Sequence, residues 1–207
     1  MSDQLSRRAF TTVSAGLVIG CGADLAVAAD ARSAGFPNAP VGPKESPFER
    51  DYPPPEFKPS WKNPQINRLL VQDFVIYAHS QLDMTKKLLE KEPGLLNATM
   101  DWGKGDWETG LGGASHMGRR DIAEFLLEKG ARIDIFCAAM MGELDAVKAF
   151  LELMPSLIDA KGPHGLTLHF HAQVGGKHAQ QVLDYLQSIR KVDLKPVPFL
   201  NKPAKKS

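Results

Sequence analysis

Cysteine is nearly missing from this chain: Cys21 and Cys137 are the only two in 207 residues. Two thiols cannot build a disulfide framework. Cys137, set among Phe136, Ala138 and Ala139, reads as a small buried apolar residue rather than a nucleophile. Charge of one sign is missing too. Lys and Arg total 25 against 24 Asp and Glu, a formal net charge of +1, which gives no electrostatic footprint for nucleic acid. No apolar run is long enough for a membrane-spanning helix. Nor is there a glycine-rich phosphate loop, a G-x-S-x-G, an H-E-x-x-H or a paired C-x-x-C. The sequence therefore assigns no catalytic residue, no cofactor and no resident metal, and is not read as an enzyme. What remains is enough apolar residue, 43%, for one packed domain with extensions.

The first extension is an address. Ser6-Arg7-Arg8-Ala9-Phe10 precedes a mildly apolar run from Ala9 to Gly20. The motif resembles the twin-arginine signal, which implies export of a folded protein to the periplasm. Two processing routes stay open. Ala26-Val27-Ala28 is a small-x-small cleavage site that would start a soluble protein near Ala29. Val18-Ile19-Gly20-Cys21 looks like a lipobox, and only a lipidated Cys21 would bring this chain to a membrane. Residues 1–29 are read as the signal and the soluble product is preferred.

Residues 30–65 form a proline-rich arm. Nine of the 15 prolines fall between Phe36 and Pro64, including Pro53-Pro54-Pro55. Proline lacks an N–H and pushes its predecessor toward extended backbone, so no helix or sheet survives there. Phe36, Phe48, Tyr52, Phe57 and Trp61 are interspersed, and a bare spacer has little need of aromatics. The arm is expected to lie along the folded domain as a strap. The competing use is a polyproline recognition ligand.

Residues 66–190 are repetitive. Leu82–Gly103 aligns without gaps on Leu144–Gly165 with nine of 22 positions identical, among them Leu89/Leu151, Pro93/Pro155 and Gly103/Gly165. Between them lies DWETGLGGASHMGRRDIAEFLLEKGARID. Apolar periodicity predicts helices over Ile66–Ser80, Leu82–Lys91, the segment from Ile122 to Leu127, Phe136–Gly142 and His178–Ile189. Thr109, Leu111, Ala114 and Gly118, then Ile122, Phe125, Leu126 and Leu127, then Gly130-Ala131, resemble an ankyrin repeat. Thr167-Leu168-His169 stands where that family has its T-P-L-H turn. Over Ile66–Ile189 the chain is similar to bacterial ankyrin-repeat proteins with export signals. The resemblance implies an all-α solenoid of about four helix pairs, whose projecting fingers and inner helices line a concave partner-binding surface. Gln180, Gln181, Asp184, Gln187 and Ser188 give the last helix a polar face suited to a capping repeat. Residues 191–207 read as a basic, loosely held tail.

The function implied is protein binding in the periplasm by an unidentified protein partner. Export of folded proteins commonly serves cofactor-bearing enzymes, which suggests an accessory to an exported redox or stress enzyme. The residues expected to carry binding are Trp102, Asp106, Trp107, Glu108, His116, Arg119 and His164. Exposed Trp beside carboxylates suits a hot spot. The same tryptophans could instead fill the gap between repeats, with Asp106 capping a turn. A reading from another class is a periplasmic metal- or small-ligand-binding protein using His116, His164, His169 and His171. The resemblance opposes His169 in that role, because the T-P-L-H histidine usually holds its own turn by backbone hydrogen bonds.

Overall fold

Four of the described helices begin where a polar side chain accepts from one of their first free backbone N–H groups. The computed structural model describes residues 45–197 and Phe199. The elements lie in a unit that starts at Phe48. In chain order the α-helices are α1 (Arg68–Ala78), α2 (Leu82–Lys91), α3 (Gly110–His116), α4 (Arg120–Glu128), α5 (Ile135–Met141), α6 (Leu144–Leu153), α7 (Leu168–Val174) and α8 (Gln180–Ile189). Strands β1 (Thr99–Asp101) and β2 (Trp107–Thr109) form one antiparallel hairpin, pairing Thr99 with Thr109, Met100 with Glu108 and Asp101 with Trp107. The chain is thus mainly α-helical. No helix among the described residues is long and apolar enough to cross a membrane.

The helices pack as successive pairs, α1 with α2, α3 with α4, α5 with α6 and α7 with α8. The first members stack in a row, α1 on α3, α3 on α5 and α5 on α7. Three of these row helices share a cap. The side chains of Thr109, Asp134 and Thr167 accept from Gly112, Cys137 and Phe170 N–H, satisfying one orphan donor of each helix. The internal repeat is matched element for element. α2 and α6 are each followed by a 3₁₀ turn, Pro93–Asn97 and Pro155–Asp159, with proline at the start of the turn.

Two apolar clusters hold the row together. Phe74, Val75, Leu95, Leu111, Ile122, Leu126 and Met140 belong to the first. Ile135, Val147, Leu151, Leu168, Val182 and Leu186 belong to the second. Met140 and Cys137 sit inside, and burial pushes the Cys137 thiol up to about 11, which fits an inert packing residue.

Several expectations are corrected. As expected, the described part of the arm has no helix or strand, but Phe48, Tyr52, Phe57 and Trp61 are exposed rather than laid on the repeats. Phe48 and Tyr52 instead pack locally with the Arg50 guanidinium over both rings. Ile66 is where the chain first joins the core. The start of the tail is not loose: Gln173 donates to the Lys195 carbonyl, Gln187 pairs with both backbone groups of Val192, and Val197 is buried. The last helix starts at Gln180 because Gly176–Ala179 winds as a 3₁₀ turn. The twin-arginine motif, the cleavage site, the Cys21 lipobox and Phe36 lie outside the described residues.

Gly142 shows how tightly neighbouring pairs pack. It ends α5 in the left-handed region at φ +83°, and a Cβ there would lie 2.1 Å from the His178 carbonyl oxygen. Both the backbone conformation and the space exclude a side chain. Gly142→Ala is expected to destabilise the protein by about 2–4 kcal/mol, combining left-handed strain with overpacking against fixed backbone. Urea unfolding with chelator present reads it.

A buried carboxylate ringed by three histidines

The site grows from the β1–β2 hairpin. Alternation along β2 turns Trp107 outward and Glu108 inward, and Thr109 then caps α3. Glu108 is thereby lodged between the hairpin and the row helices, with its side chain fully buried. Two further features let α3 come close. A Cβ on Gly113 would lie 2.7 Å from the His79 ring, and one on Gly112 would lie 3.2 Å from Glu108 Cγ.

Three imidazoles converge on this carboxylate. His79 follows the last residue of α1, His116 ends α3, and His164 sits on the turn before α7. His79 Nε2 lies 3.3 Å from Glu108 Oε2, His164 Nε2 lies 3.6 Å from the same oxygen, and His116 Nδ1 lies 2.9 Å from Oε1. The His116 contact is close but its ring N–H is not aligned on the oxygen. Glu108 Oε1 and His116 Nδ1 are therefore both buried without a hydrogen-bond partner among the described residues. Such orphans are rare and call for an explanation.

The tautomers are set from outside the cluster. His79 Nδ1 is 2.7 Å from the Val75 carbonyl, which can only accept, so Nδ1 donates and Nε2 faces Glu108. His164 Nδ1 is 2.9 Å from Asp106 Oδ2, and the His164 backbone N–H donates to Asp106 Oδ1. That pair holds His164 at φ +59°, in the left-handed region. With Nδ1 turned to Asp106, the His164 Nε2 faces Glu108. Trp102 completes the ring, its indole N–H donating to Glu108 Oε2 at 2.7 Å.

The charges are coupled. Burial alone would raise the Glu108 carboxyl, but the adjacent His116 and His79 outweigh it and hold the group down at about 2. For His79 burial works to lower the value, yet contact with Glu108, the Val75 carbonyl and the Glu108 charge together raise it. Glu108 and His79 thus favour each other's charged forms.

Of the residues expected at a surface, Glu108 and His116 are buried and unavailable to a macromolecular partner. Trp102 is partly exposed and spends its polar atom inward, whereas Trp107 stands out in solvent. Asp106 holds His164 rather than capping a turn. Arg119 chelates Asp121 and donates to the Ser80 carbonyl, away from the cluster. His169 and His171 stay apart from it. His169 bonds the Arg190 carbonyl, and His171 donates through Nδ1 to the Thr167 carbonyl with Phe136 against its ring. The missed residue is His79. The available signal was that two consecutive row helices each finish in histidine, His79 just before Ser80 and His116 just before Met117-Gly118.

Four donor atoms, from His79, Glu108, His116 and His164, all lie within 4.8 Å of one another. Ligands about 2 Å from a shared tetrahedral ion stand roughly 3.3 Å apart. The imidazole nitrogens lie 2.9 Å from Glu108 Oε1 for His116, and 3.3 and 3.6 Å from Oε2 for His79 and His164. Three imidazoles and a carboxylate suit borderline divalent ions such as zinc, cobalt, nickel or copper(II), while thiolate-seeking copper(I) and all-oxygen calcium or magnesium would find the wrong donors. Compared with known proteins, the chain matches no family model, no curated protein and no solved structure.

Behind the cluster, burial pushes His171 down to about 4. Its folded value lies below the unfolded value near 6.5, so the unfolded chain binds the extra proton and stability falls as pH drops from 6.5 to 4. The loss is up to about 3 kcal/mol. Glu108, depressed below its ordinary value, adds its loss only below about pH 4.5. His79, raised, acts in the opposite direction above pH 6.5. Urea unfolding of metal-free protein across pH 4–7 is expected to show this slope, and His171→Asn, which keeps a donor for the Thr167 carbonyl, to flatten it.

Proposed function

We propose that this chain is an exported ankyrin-type repeat protein that binds one divalent transition-metal ion of the zinc class. His79, Glu108, His116 and His164 are its ligands. The observation that carries the reading is the pair of orphaned buried atoms, Glu108 Oε1 and His116 Nδ1, in a cluster that also takes in the imidazoles of His79 and His164. Outer hydrogen bonds from ligand histidines to a carboxylate and a backbone carbonyl are what metal sites use to orient their rings. Asp106 on His164 and the Val75 carbonyl on His79 have that arrangement.

Other features fit the same account. The row of stacked helix pairs with a projecting hairpin agrees with the ankyrin pattern read at Thr109–Asp134. The twin-arginine motif agrees with a protein that folds, and takes its ion, before export to the periplasm.

The test is metal analysis and zinc titration of protein purified without a histidine tag. About one equivalent is expected, with a rise in melting temperature on loading, because the folded state alone assembles the site. His79→Ala, His116→Ala, His164→Ala and Glu108→Gln should each weaken binding beyond the 10–100-fold typical of outer-shell changes, while exposed His178→Ala leaves it unaltered. Sub-stoichiometric metal in the wild type with no thermal response to zinc sinks the reading. Affinity should also fall as pH drops from about 7.5 to 5.5, since protons on His79 and its neighbours compete with the ion.

A second reading, compatible with the first, is partner binding at Trp107. Its exposed ring borders a cleft with Phe136, Lys161 and Pro163. A single stoichiometric partner captured from periplasmic extract and lost with Trp107→Ala would support it. Capture that is indifferent to Trp107 would count against it.

A further inference from the structure

The inference rests on the metal reading above and assigns a role within that site. We propose that Trp102 is the positioning residue of the metal centre, its indole N–H fixing the Glu108 carboxylate while its ring shields His79 and His164 from solvent.

The β1–β2 hairpin supplies a ligand and the groups that aim two ligands. It carries Glu108 itself. It carries Asp106, which takes both the backbone N–H and Nδ1–H of His164. And it carries Trp102, whose Nε1–H meets Glu108 Oε2 at 2.7 Å. The indole is held in turn by its backbone, since Trp102 N–H donates to the Asp106 carbonyl across the hairpin end. Asp101 closes that end by accepting from Gly103 and Gly105. The Trp102 ring lies edge-on to His79 at 5.8 Å and to His164 at 5.2 Å between centroids. One side chain therefore touches three of the four ligands.

The physical case turns on which Glu108 contacts survive when an ion enters. The imidazole nitrogens near the carboxylate must turn their lone pairs to the metal, so any N–H contact they make to Glu108 is lost. The indole N–H is a donor with no acceptor capacity and no accessible deprotonation. It cannot compete for the ion, and it brings no positive charge to repel one, as Lys or Arg would. Its bond to Oε2 can thus persist in both states and keep the carboxylate from rotating. It also makes the two oxygens unequal: Oε2 has a fixed donor, while Oε1 has none. Pre-set orientation of a ligand of this kind is worth 10–100-fold in metal affinity. Trp107, on the same hairpin but turned outward, has no such contact with Glu108.

The experiment compares wild type, Trp102→Phe and Trp107→Phe. Phenylalanine keeps a ring as a wall and deletes only the donor. Zinc affinity is read by competition with a chelator, and cobalt(II) substitution gives a visible spectrum sensitive to donor number and geometry. The expected result is a 10–100-fold weaker zinc affinity for Trp102→Phe, with cobalt bands altered in position and intensity, and wild-type behaviour for Trp107→Phe. Affinity within about threefold of wild type, together with an unchanged cobalt spectrum, overturns the proposal and leaves the metal site standing. Equal losses in both variants overturn it as well, because the effect would then be one of hairpin stability. A measurement without any variant covers the case in which Trp102→Phe does not fold. In zinc-loaded wild type, the Trp102 indole N–H should exchange slowly with solvent, as in the metal-free protein, and fast exchange after loading refutes the persistent bond. If wild type takes up neither zinc nor cobalt, the metal reading itself falls, and this one with it.

Discussion

Burying an ionised carboxylate in a domain of this size is the constraint on which the rest of the site depends. Glu108 loses all contact with water, and an isolated carboxylate in that position would cost several kcal/mol. Its low pKa means the surroundings more than offset that cost in favour of the charged form. The compensating groups come from four separate places: the end of α1, the end of α3, the hairpin end and the turn before α7. None is adjacent to Glu108 in sequence by chance of local folding, so the carboxylate ties successive helix pairs to each other. Removing a histidine would leave a buried charge underbalanced, which is the more damaging direction of change for such a pair.

The backbone around this point is shaped by the same demand. α3 opens with Gly110 and continues Leu111-Gly112-Gly113-Ala114-Ser115. This is poor helix-forming material by propensity, and it makes physical sense only as close packing. A side chain on Gly113 would occupy the volume of the His79 ring, and one on Gly110 would come within 2.7 Å of Phe74. The helix gives up intrinsic stability in exchange for approach to α1, and the Thr109 cap and the two apolar clusters restore what the glycines cost. The left-handed turn at His164 has the same logic, with a strained residue held by two bonds to Asp106.

Local features of the chain were readable because they depend on neighbours in sequence. The α2 bounds follow from apolar spacing in LDMTKKLLEK, and the α6 equivalent from its alignment on the same pattern. Cys137 reads as buried from its apolar flanks. Trp102, Asp106, Glu108, His116 and His164 could be singled out by residue type, but not the burial of Glu108 and His116. Glu108 and His116 read as surface groups because a carboxylate on a finger and a histidine at a helix end are ordinarily wet. His79 escaped notice because its signal, a histidine at the end of two successive row helices, shows only when the two helix ends are compared, and taken alone it reads as the polar end of an amphipathic helix. The arm failed in the other direction: its aromatics suggested packing, but proline-fixed extended backbone gave them no surface to meet.

The sequence by itself determined the helical periods, the doubled helix-and-proline-turn unit and the stretch where proline forbids regular structure. Each of these is settled within one or two turns of chain. Only the tertiary structure decided that residues 79, 108, 116 and 164 share one point in space, and that Trp102 faces inward while Trp107 faces out. Convergence of that kind depends on the stacking offset between helix pairs, which is set by the close contacts of Gly110, Gly112 and Gly113 against α1 and the hairpin. A shift of a single residue in that offset would scatter the four side chains, and no short-range pattern in the chain records it.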